Sequence, residues 1–494
     1  LATPTPKALA SELLAIINAD FPRLERIDKY IHGQHDDPYM PKTADAEYKM
    51  LAKRSTSNWM PLLIGTPAQA LYVDGFRPGR KVDPAKGERS TPEWEHWQNS
   101  HMDAKQIAIH RAALGYGHSF TLTEKVDGKV KTKGLSALRT AALYEDAAND
   151  NDPYAALTVL SLPKGDTPGK ARLWDAKNEY EISFKALAGE QEIEVGKPQA
   201  HGLQECPVTR FAAAVDLEGR TVGIVEPLIP LQNRINQTVF DLLVTQTYAS
   251  FKVRYATGMA PPLMIQWYDE QGYPKAEPAD IENPPAGWTT KQVPVPMDHN
   301  ARRFLFAEDH EARFGSLDES PLGGFIESIE MSVKHLSALA QVPPHHLLGQ
   351  IANLSAEALQ AAETSLTRKV EEFRKSFGES WERVFRLAGA LGGNAASAQD
   401  NSGEVIWRDM EQKSLAQSAD ALGKMAESLD IPKRGLWERI PGITQGEIDY
   451  WNDLRETDDF ERQMAESLER ASSPGQTFGS TSSRTTGNLD EKLT

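Results

Sequence analysis

The chain is 494 residues long and 40% hydrophobic, enough for two to four domains of roughly 100–200 residues with buried cores, and its composition is neither disordered nor fibrous. Its formal net charge of −16 argues against tight, sequence-specific DNA binding, which draws on phosphate neutralisation; an acidic wall would instead let a duplex slide, and the plainer reading is a surface that aids solubility. Cys206 is the sole cysteine, no run approaches the ~20 apolar residues of a membrane span, and residues 1–10 lack the basic start and apolar core of a signal peptide, so intramolecular disulfides are excluded, a Cys-based zinc site is disfavoured, and an unexported chain with no membrane partner is expected in a reducing compartment.

Residues 7–31 carry helical periodicity, with Leu9, Leu13, Ile16 and Ile17 followed by Leu24, Ile27 and Ile31 after Pro22. A loop rich in Gly, His, Asp and Pro spans residues 32–41. A second helical stretch is expected over residues 43–72, broken near Pro61 and Pro67, with its later part buried. Asp74-Gly75 predicts a turn, and residues 93–116 predict one helix ended by Gly115 and Gly117. Short strands are then expected at residues 119–124, 155–160, 171–174 and 179–184, with Asp127-Gly128 as a hairpin signal.

Near Val225 the pattern changes. Leu228, Leu231, Ile235, Val239 and Leu242 form one apolar stripe on a helix running to about residue 251. Residues 253–296 are rich in proline, from Pro261 and Pro262 to Pro294 and Pro296, which forbids long helices. The aromatics Trp267, Tyr268, Tyr273 and Trp288 make this stretch a compact module or contact surface rather than a slack linker. Helix resumes near Pro321, where Leu322, Ile326, Ile329, Val333, Leu336 and Ala340 form a heptad-like seam, and stops at Pro343-Pro344.

A longer helix is expected over residues 355–391, capped by Ser355, with Glu357 and Glu363 favouring its early turns. Its stripe runs from Leu359 through Leu366, Phe373, Phe377 and Trp381 to Val384, Gly378 is a candidate kink, and Gly392-Gly393 ends it. Residues 404–408 predict one more strand, residues 411–470 predict helices interrupted at Pro432 and Pro441, and residues 471–494 read as a disordered tail.

Chemistry-bearing motifs are missing: there is no phosphate-binding loop, dinucleotide fingerprint, nucleophile elbow or His-Glu-x-x-His, so no catalytic residue, cofactor or metal site is expected. His32 and His35 beside Asp36 and Asp37 have possible metal spacing, but in a loop turned by Gly33 and Pro38 a polar turn is the stronger reading. His345 and His346 lie in a loop between helices, where they could titrate or touch phosphate; the alternative is a polar loop tip. Lys252, Arg254, Arg302 and Arg303 flank the Pro-rich module and would form a basic collar if the flanking helices ran side by side, against the plainer reading of scattered solvated charge. Asp458, Asp459 and Glu461 read as solvated helix-surface charge.

The order of these segments, and four local motifs, resemble the portal proteins of long-tailed bacteriophages, especially those infecting actinobacteria. The motifs are Tyr30-Ile31-His32-Gly33-Gln34-His35 with Pro38-Tyr39 and Pro41; Asn58-Trp59 through Val73-Asp74-Gly75-Phe76; Pro343-Pro344-His345-His346-Leu347-Leu348-Gly349 followed by Asn353-Leu354-Ser355-Ala356-Glu357; and Ser414-Leu415-Ala416-Gln417 with Asp420-Ala421-Leu422, Ile431-Pro432 and Trp437-Glu438. The third is the most specific, and the resemblance covers roughly residues 25–470.

It implies an α+β, predominantly helical portal fold assembling as a ring of about twelve subunits. Residues 1–225 would be the wing, 226–252 and 313–341 the two stem helices, 253–312 the clip, 342–354 the tunnel loop, 355–392 the tunnel helix, 393–410 a strand returning to the wing, and 411–470 the crown. His345, His346, Gln350 and Asn353 would then be tunnel-loop residues facing DNA, and Trp267, Tyr268, Tyr273 and Trp288 clip contacts. The implied partners are double-stranded DNA passing without sequence specificity, the terminase large subunit, a head–tail adaptor, the major capsid protein and its scaffold. The implied location is the portal vertex of the virion, after assembly in host cytoplasm. The competing readings are another minor head or adaptor protein of a phage particle, and a Mg²⁺-dependent nuclease or hydrolase, which would need clustered carboxylates on rigid elements.

Overall fold

The computed structural model describes residues 4–40, 46–79, 92–150, 152–187, 192–249, 254–257, 263–278, 280–294, 313–316, 321–349, 356–408 and 415–444, and separate positions between 446 and 465. The chain begins with helices α1 (Pro6–Ile31), α2 (Ala46–Arg54) and α3 (Met60–Gln69), then strand β1 (Val73–Arg77) and helices α4 (Pro92–Asn99) and α5 (Met102–Tyr116). A run of strands follows: β2 (His118–Val126), β3 (Lys129–Leu135), β4 (Thr140–Leu143), β5 (Ala155–Ser161), β6 (Gly169–Trp174), β7 (Asn178–Phe184), β8 (Ile193–Val195), β9 (Gln199–Ala200) and β10 (Val208–Ala212). Helix α6 (Ile229–Ala249) leads to β11 (Arg254–Thr257), β12 (Leu263–Tyr268), β13 (Pro274–Lys275), β14 (Thr289–Pro294) and β15 (Arg313–Ser316). The last part holds α7 (Gly323–Ala340), α8 (Pro344–Leu348), α9 (Ala356–Leu391), α10 (Ala395–Ala398), β16 (Glu404–Trp407) and α11 (Leu415–Ser428). The class is α+β as expected, and about half of it is helix.

Two compact units emerge: Leu1–Gln34, Asn58–Ile229 and Leu336–Thr494 in the first, His35–Ser57 and Pro230–His335 in the second. In the first, α1 lays Leu9, Leu13, Leu14 and Ile17 on the face of the sheet β4-β5-β6-β7-β8, against Leu143, Leu157, Leu173, Ile182 and Phe184. At roughly 1.5–3 kcal/mol per fully buried large side chain, this one contact is a substantial part of the unit's stability. A second sheet, β10-β2-β3, turns at Asp127 and Gly128, whose φ values of 53° and 77° suit the two-residue hairpin that the sequence signalled.

Between that sheet and α9 lies an aromatic core. Trp381 meets Phe211 at 4.6 Å and Trp97 at 4.9 Å between ring centroids, and Phe385 meets Phe76 at 4.5 Å. This is why the α9 stripe is buried at Phe373, Phe377, Trp381, Val384 and Phe385. Arg383, 2% exposed, is accommodated there because its guanidinium donates to the Val208 and Cys206 carbonyls and to Thr209 Oγ1 at 2.5, 3.0 and 3.0 Å, respectively.

In the second unit, α2 packs Leu51 and Ala52 on Phe240 of α6. Asn236 holds the neighbouring loop: its Oδ1 accepts from Ser57 N at 3.2 Å and from Gln232 Nε2 at 2.9 Å. The Pro-rich stretch is all β where described, with a pair β11-β15 and a sheet β13-β12-β14.

Several expectations need correction. The helical stretch expected over 43–72 does break near Pro61, at residues 55–59, and Pro61 itself occupies the first turn of α3, where the missing N–H costs nothing; Pro67 lies inside α3 and makes no break. Asp74-Gly75 is not a turn but part of β1, which pairs antiparallel with β16 across a register shift between Val73 and Gly75. The single helix expected over 93–116 is two, separated at His101 with φ 55°. The helix expected to resume near Pro321 begins at Gly323, and Arg313–Ser316 before it is a strand paired with β11. The seam on that helix is buried at Val333, Leu336 and Ala340 but not at Ile326, which is 51% exposed. The expected cap Ser355 and the expected tail, 471–494, lie outside the described residues.

Candidate functional site

The segment after α7 was expected to be an irregular loop over 342–354; its described part contains the one-turn helix α8. Two prolines set it up. Pro343, at φ −54° and ψ 139°, ends the preceding extended step, and Pro344 supplies a preset φ at the first helical position. Ahead of them Ser337 Oγ donates to the Val342 carbonyl at 2.5 Å. Behind them Gly349, at φ 66°, closes the turn by donating its N–H to the His345 carbonyl at 3.0 Å. Leu347 is buried and anchors the turn.

This turn brings the two expected histidines onto one acceptor. The rings of His345 and His346 lie 4.5 Å apart with a 33° tilt, and Nε2 of each is 2.9 Å from Oε1 of Glu363 on α9. A carboxylate only accepts, so both rings carry their proton on Nε2 in this arrangement. The His345 side chain is 10% exposed, while those of His346 and Glu363 are 36% and 34% exposed, leaving one side of the cluster open to solvent. Glu363 is the residue that sequence reasoning missed: it was assigned to the dipole of the helix start, and no local pattern links it to histidines 17 and 18 positions earlier. Gln350 and Asn353, expected beside them, lie outside the described residues.

Of the four aromatics expected at the clip, Trp267 and Trp288 come together. Trp267 and Tyr268 end β12, Trp288 precedes β14, and Trp267 and Trp288 are 6.4 Å apart between ring centroids. Lys291 Nζ sits 5.1 Å from the Tyr268 ring centroid. Tyr273, 66% exposed, is held by its N–H donating to Asp269 Oδ1 at 2.8 Å. That turn also explains why Asp269 is held below the usual carboxylate range, first by the Tyr273 N–H and further by Lys275.

The residues of the expected basic collar are not described far enough to place it. Lys252, Arg302 and Arg303 lie outside the described residues, and Arg254 is placed only by its backbone, opposite Ser316. The His32–Asp37 segment makes no metal cluster there: His32 Nδ1 is 2.9 Å from the Asp28 carbonyl, and His35 Nδ1 is 2.9 Å from Asn236 Nδ2. Asp458 is exposed as expected, and Asp459 and Glu461 lie outside the described residues.

The strongly perturbed histidines are interior ones. Burial pushes His110 and His118 down to about 3 and His96 to about 4, each engaged in hydrogen bonding far from the His345–His346 pair in sequence. Among the described residues, no helix is long and apolar enough to cross a membrane.

Comparison with known proteins sets this geometry in context. The family described as "Phage portal protein, SPP1 Gp6-like" matches residues 10–460. The chain is also similar to the portal protein of Mycobacterium phage L5, 25% identical over 374 residues, and to that of Mycobacterium phage D29, 25% identical over 377 residues. Each alignment covers 74% of this chain and 71% of the relative.

Proposed function

This chain belongs to the SPP1 Gp6-like family of phage portal proteins, and from that premise we propose how its segments divide the work of a portal ring. The protein is a structural, non-enzymatic component of the phage virion, the DNA channel at the portal vertex of the capsid used in genome packaging. The family implies an oligomeric ring that meets DNA and the terminase.

In our reading residues 1–225 form the wing, α6 and α7 are the stem helices, the β module between them is the clip, the segment around α8 is the tunnel loop, α9 is the tunnel helix, β16 returns to the wing, and residues 411–470 form the crown. One observation carries this assignment: the order helix, all-β Pro-rich module, helix, one-turn helix between Pro343 and Gly349, then a helix of 36 residues. At 1.5 Å per residue α9 is about 54 Å long. The ring is a passive channel of about twelve subunits. ATP hydrolysis belongs to the terminase large subunit, since this sequence has no phosphate-binding loop. The clip docks that motor during packaging and the head–tail adaptor afterwards, while the outer surface meets the major capsid protein and scaffold. DNA slides through a channel walled by an acidic protein and narrowed by the tunnel loops.

Electron microscopy of the full chain, alone or co-expressed with capsid and scaffold proteins, tests the assignment when a short tag is inserted at Gly272, in an exposed turn of the β module. Rings with an axial hole and tag density confined to the narrow end are expected. Tag density at the outer rim would overturn the clip and stem assignments while leaving family membership untouched.

A further inference from the structure

We propose that His345, His346 and Glu363 form a binding site for one borderline divalent transition-metal ion, of which Zn²⁺ is the type, tying the α8 turn to helix α9. Among the described residues these are the three side chains of His, Asp, Glu and Cys whose ligand atoms converge, all lying within 4.8 Å of one another. The convergence is built by the backbone. Consecutive residues of a helix point about 100° apart, yet here two neighbouring imidazoles face one carboxylate oxygen at 2.9 Å each. The short turn between Pro343 and Gly349 makes that possible.

The spacing is nearly that of a metal site. With metal–ligand bonds of about 2.0–2.1 Å in tetrahedral geometry, ligand atoms stand about 3.3 Å apart. Each nitrogen is therefore within about 0.4 Å of the separation from Glu363 Oε1 that a shared ion requires, and the two nitrogens lie within 4.8 Å of one another. On binding, each neutral imidazole carries its proton on Nδ1 rather than Nε2, so the Nε2 lone pair faces the metal and the ring keeps its charge. Glu363 supplies one negative charge, and the exposed side of His346 and Glu363 leaves the remaining position to water. Two imidazoles select Zn²⁺, Co²⁺, Ni²⁺ or Cu²⁺ over Mg²⁺ and Ca²⁺, which take oxygen ligands.

The inference stands on these three side chains and does not depend on the assignment of wing, clip or tunnel. Its test is a Co²⁺ titration of the full-length protein after EDTA dialysis, followed by visible ligand-field spectra and displacement with Zn²⁺. One saturable Co²⁺ per chain, displaced by Zn²⁺ and lost in His345→Ala/His346→Ala and in Glu363→Gln, is the expected result. Glu363→Gln keeps the side-chain volume and guards against a double variant that fails to fold; His32→Ala/His35→Ala serves as the control that retains binding. No saturable binding by the wild type, or undiminished binding in Glu363→Gln, would overturn the site.

Discussion

The indole Nε1 of Trp381 donates to Nε2 of His110 at 2.9 Å, while His110 Nδ1 donates to the Leu71 carbonyl at 2.9 Å, so one neutral imidazole joins α9, α5 and the segment after α3. Both nitrogens are committed, which fixes the tautomer and leaves no place for a second ring proton. Burial accordingly pushes His110 down to about 3, outweighing the Leu71 contact, which acts upward. Below an unfolded value of about 6.5 the unfolded chain binds a proton at this site and the folded chain does not, so unfolding free energy falls as pH falls. His118 and His96 add to the same slope down to about 3 and about 4. Each contributes roughly 1.4 kcal/mol per pH unit below 6.5. His110→Gln should be less stable than wild type at pH 7 by about 2 kcal/mol, with the gap narrowing toward pH 5. Urea unfolding at a series of pH values reads this; parallel curves for the two proteins would refute it.

Arg383 offers a second test. It is 2% exposed, donates to the Val208 and Cys206 carbonyls, and lies near Asp152 and Glu205. Those two carboxylates are about half exposed and would rehydrate on its loss, whereas the carbonyls would stay buried without a donor. Arg383→Met should therefore cost about 3 kcal/mol, mainly from orphaned carbonyls rather than from a lost ion pair. Lys at this position should rescue only in part, because one ammonium cannot span the fork of acceptors. A melting temperature of Arg383→Met within a degree of wild type would contradict this account.

What could be read from the sequence was whatever has a local period or a strong turn signal. The stripes of α1, α6 and α9 and the Asp127-Gly128 hairpin belong to that class, because one repeating surface or two residues determine them. The pairing of β1 with β16 does not: Arg77 and Glu404 are 327 residues apart, and no local pattern reports a partner so distant. The break at His101 carries neither Gly nor Pro, and the strand Arg313–Ser316 is four residues long, too short to show alternation. The two histidines of the candidate site were legible as a dipeptide after Pro-Pro, but the carboxylate they share is chosen by the fold.

The β module makes a separable prediction. Trp267 and Trp288 pack beside the β12-β14 ladder, so Trp267→Ala should unsettle the module itself. Tyr273, 66% exposed, should cost under about 0.5 kcal/mol of stability when replaced by Ala. If this module is the clip, Tyr273→Ala rings should assemble normally yet bind the terminase large subunit about tenfold more weakly, the loss of one contact worth about 1.4 kcal/mol. Interferometry of immobilised rings against the motor protein measures it, and unchanged affinity would remove Tyr273 from the docking surface.

The α8 turn gives the most direct functional test. Residues 342–354 contain no Lys or Arg, so any contact of this segment with DNA is steric or runs through polar side chains such as His345, His346, Gln350 and Asn353. Replacing both histidines by Ala leaves Glu363 one-third exposed and able to hydrate, so the stability cost should stay near 1 kcal/mol and rings should still form. Packaging or retention of DNA in capsids assembled around such rings should nonetheless fall severalfold, measured as nuclease-protected genome per particle. Glu363→Gln separates the causes. If Glu363→Gln matches the double variant, the clamp on the turn matters; if it leaves packaging intact while the double variant fails, the imidazoles themselves act on the duplex. Normal packaging in both variants would exclude these side chains from the channel's function.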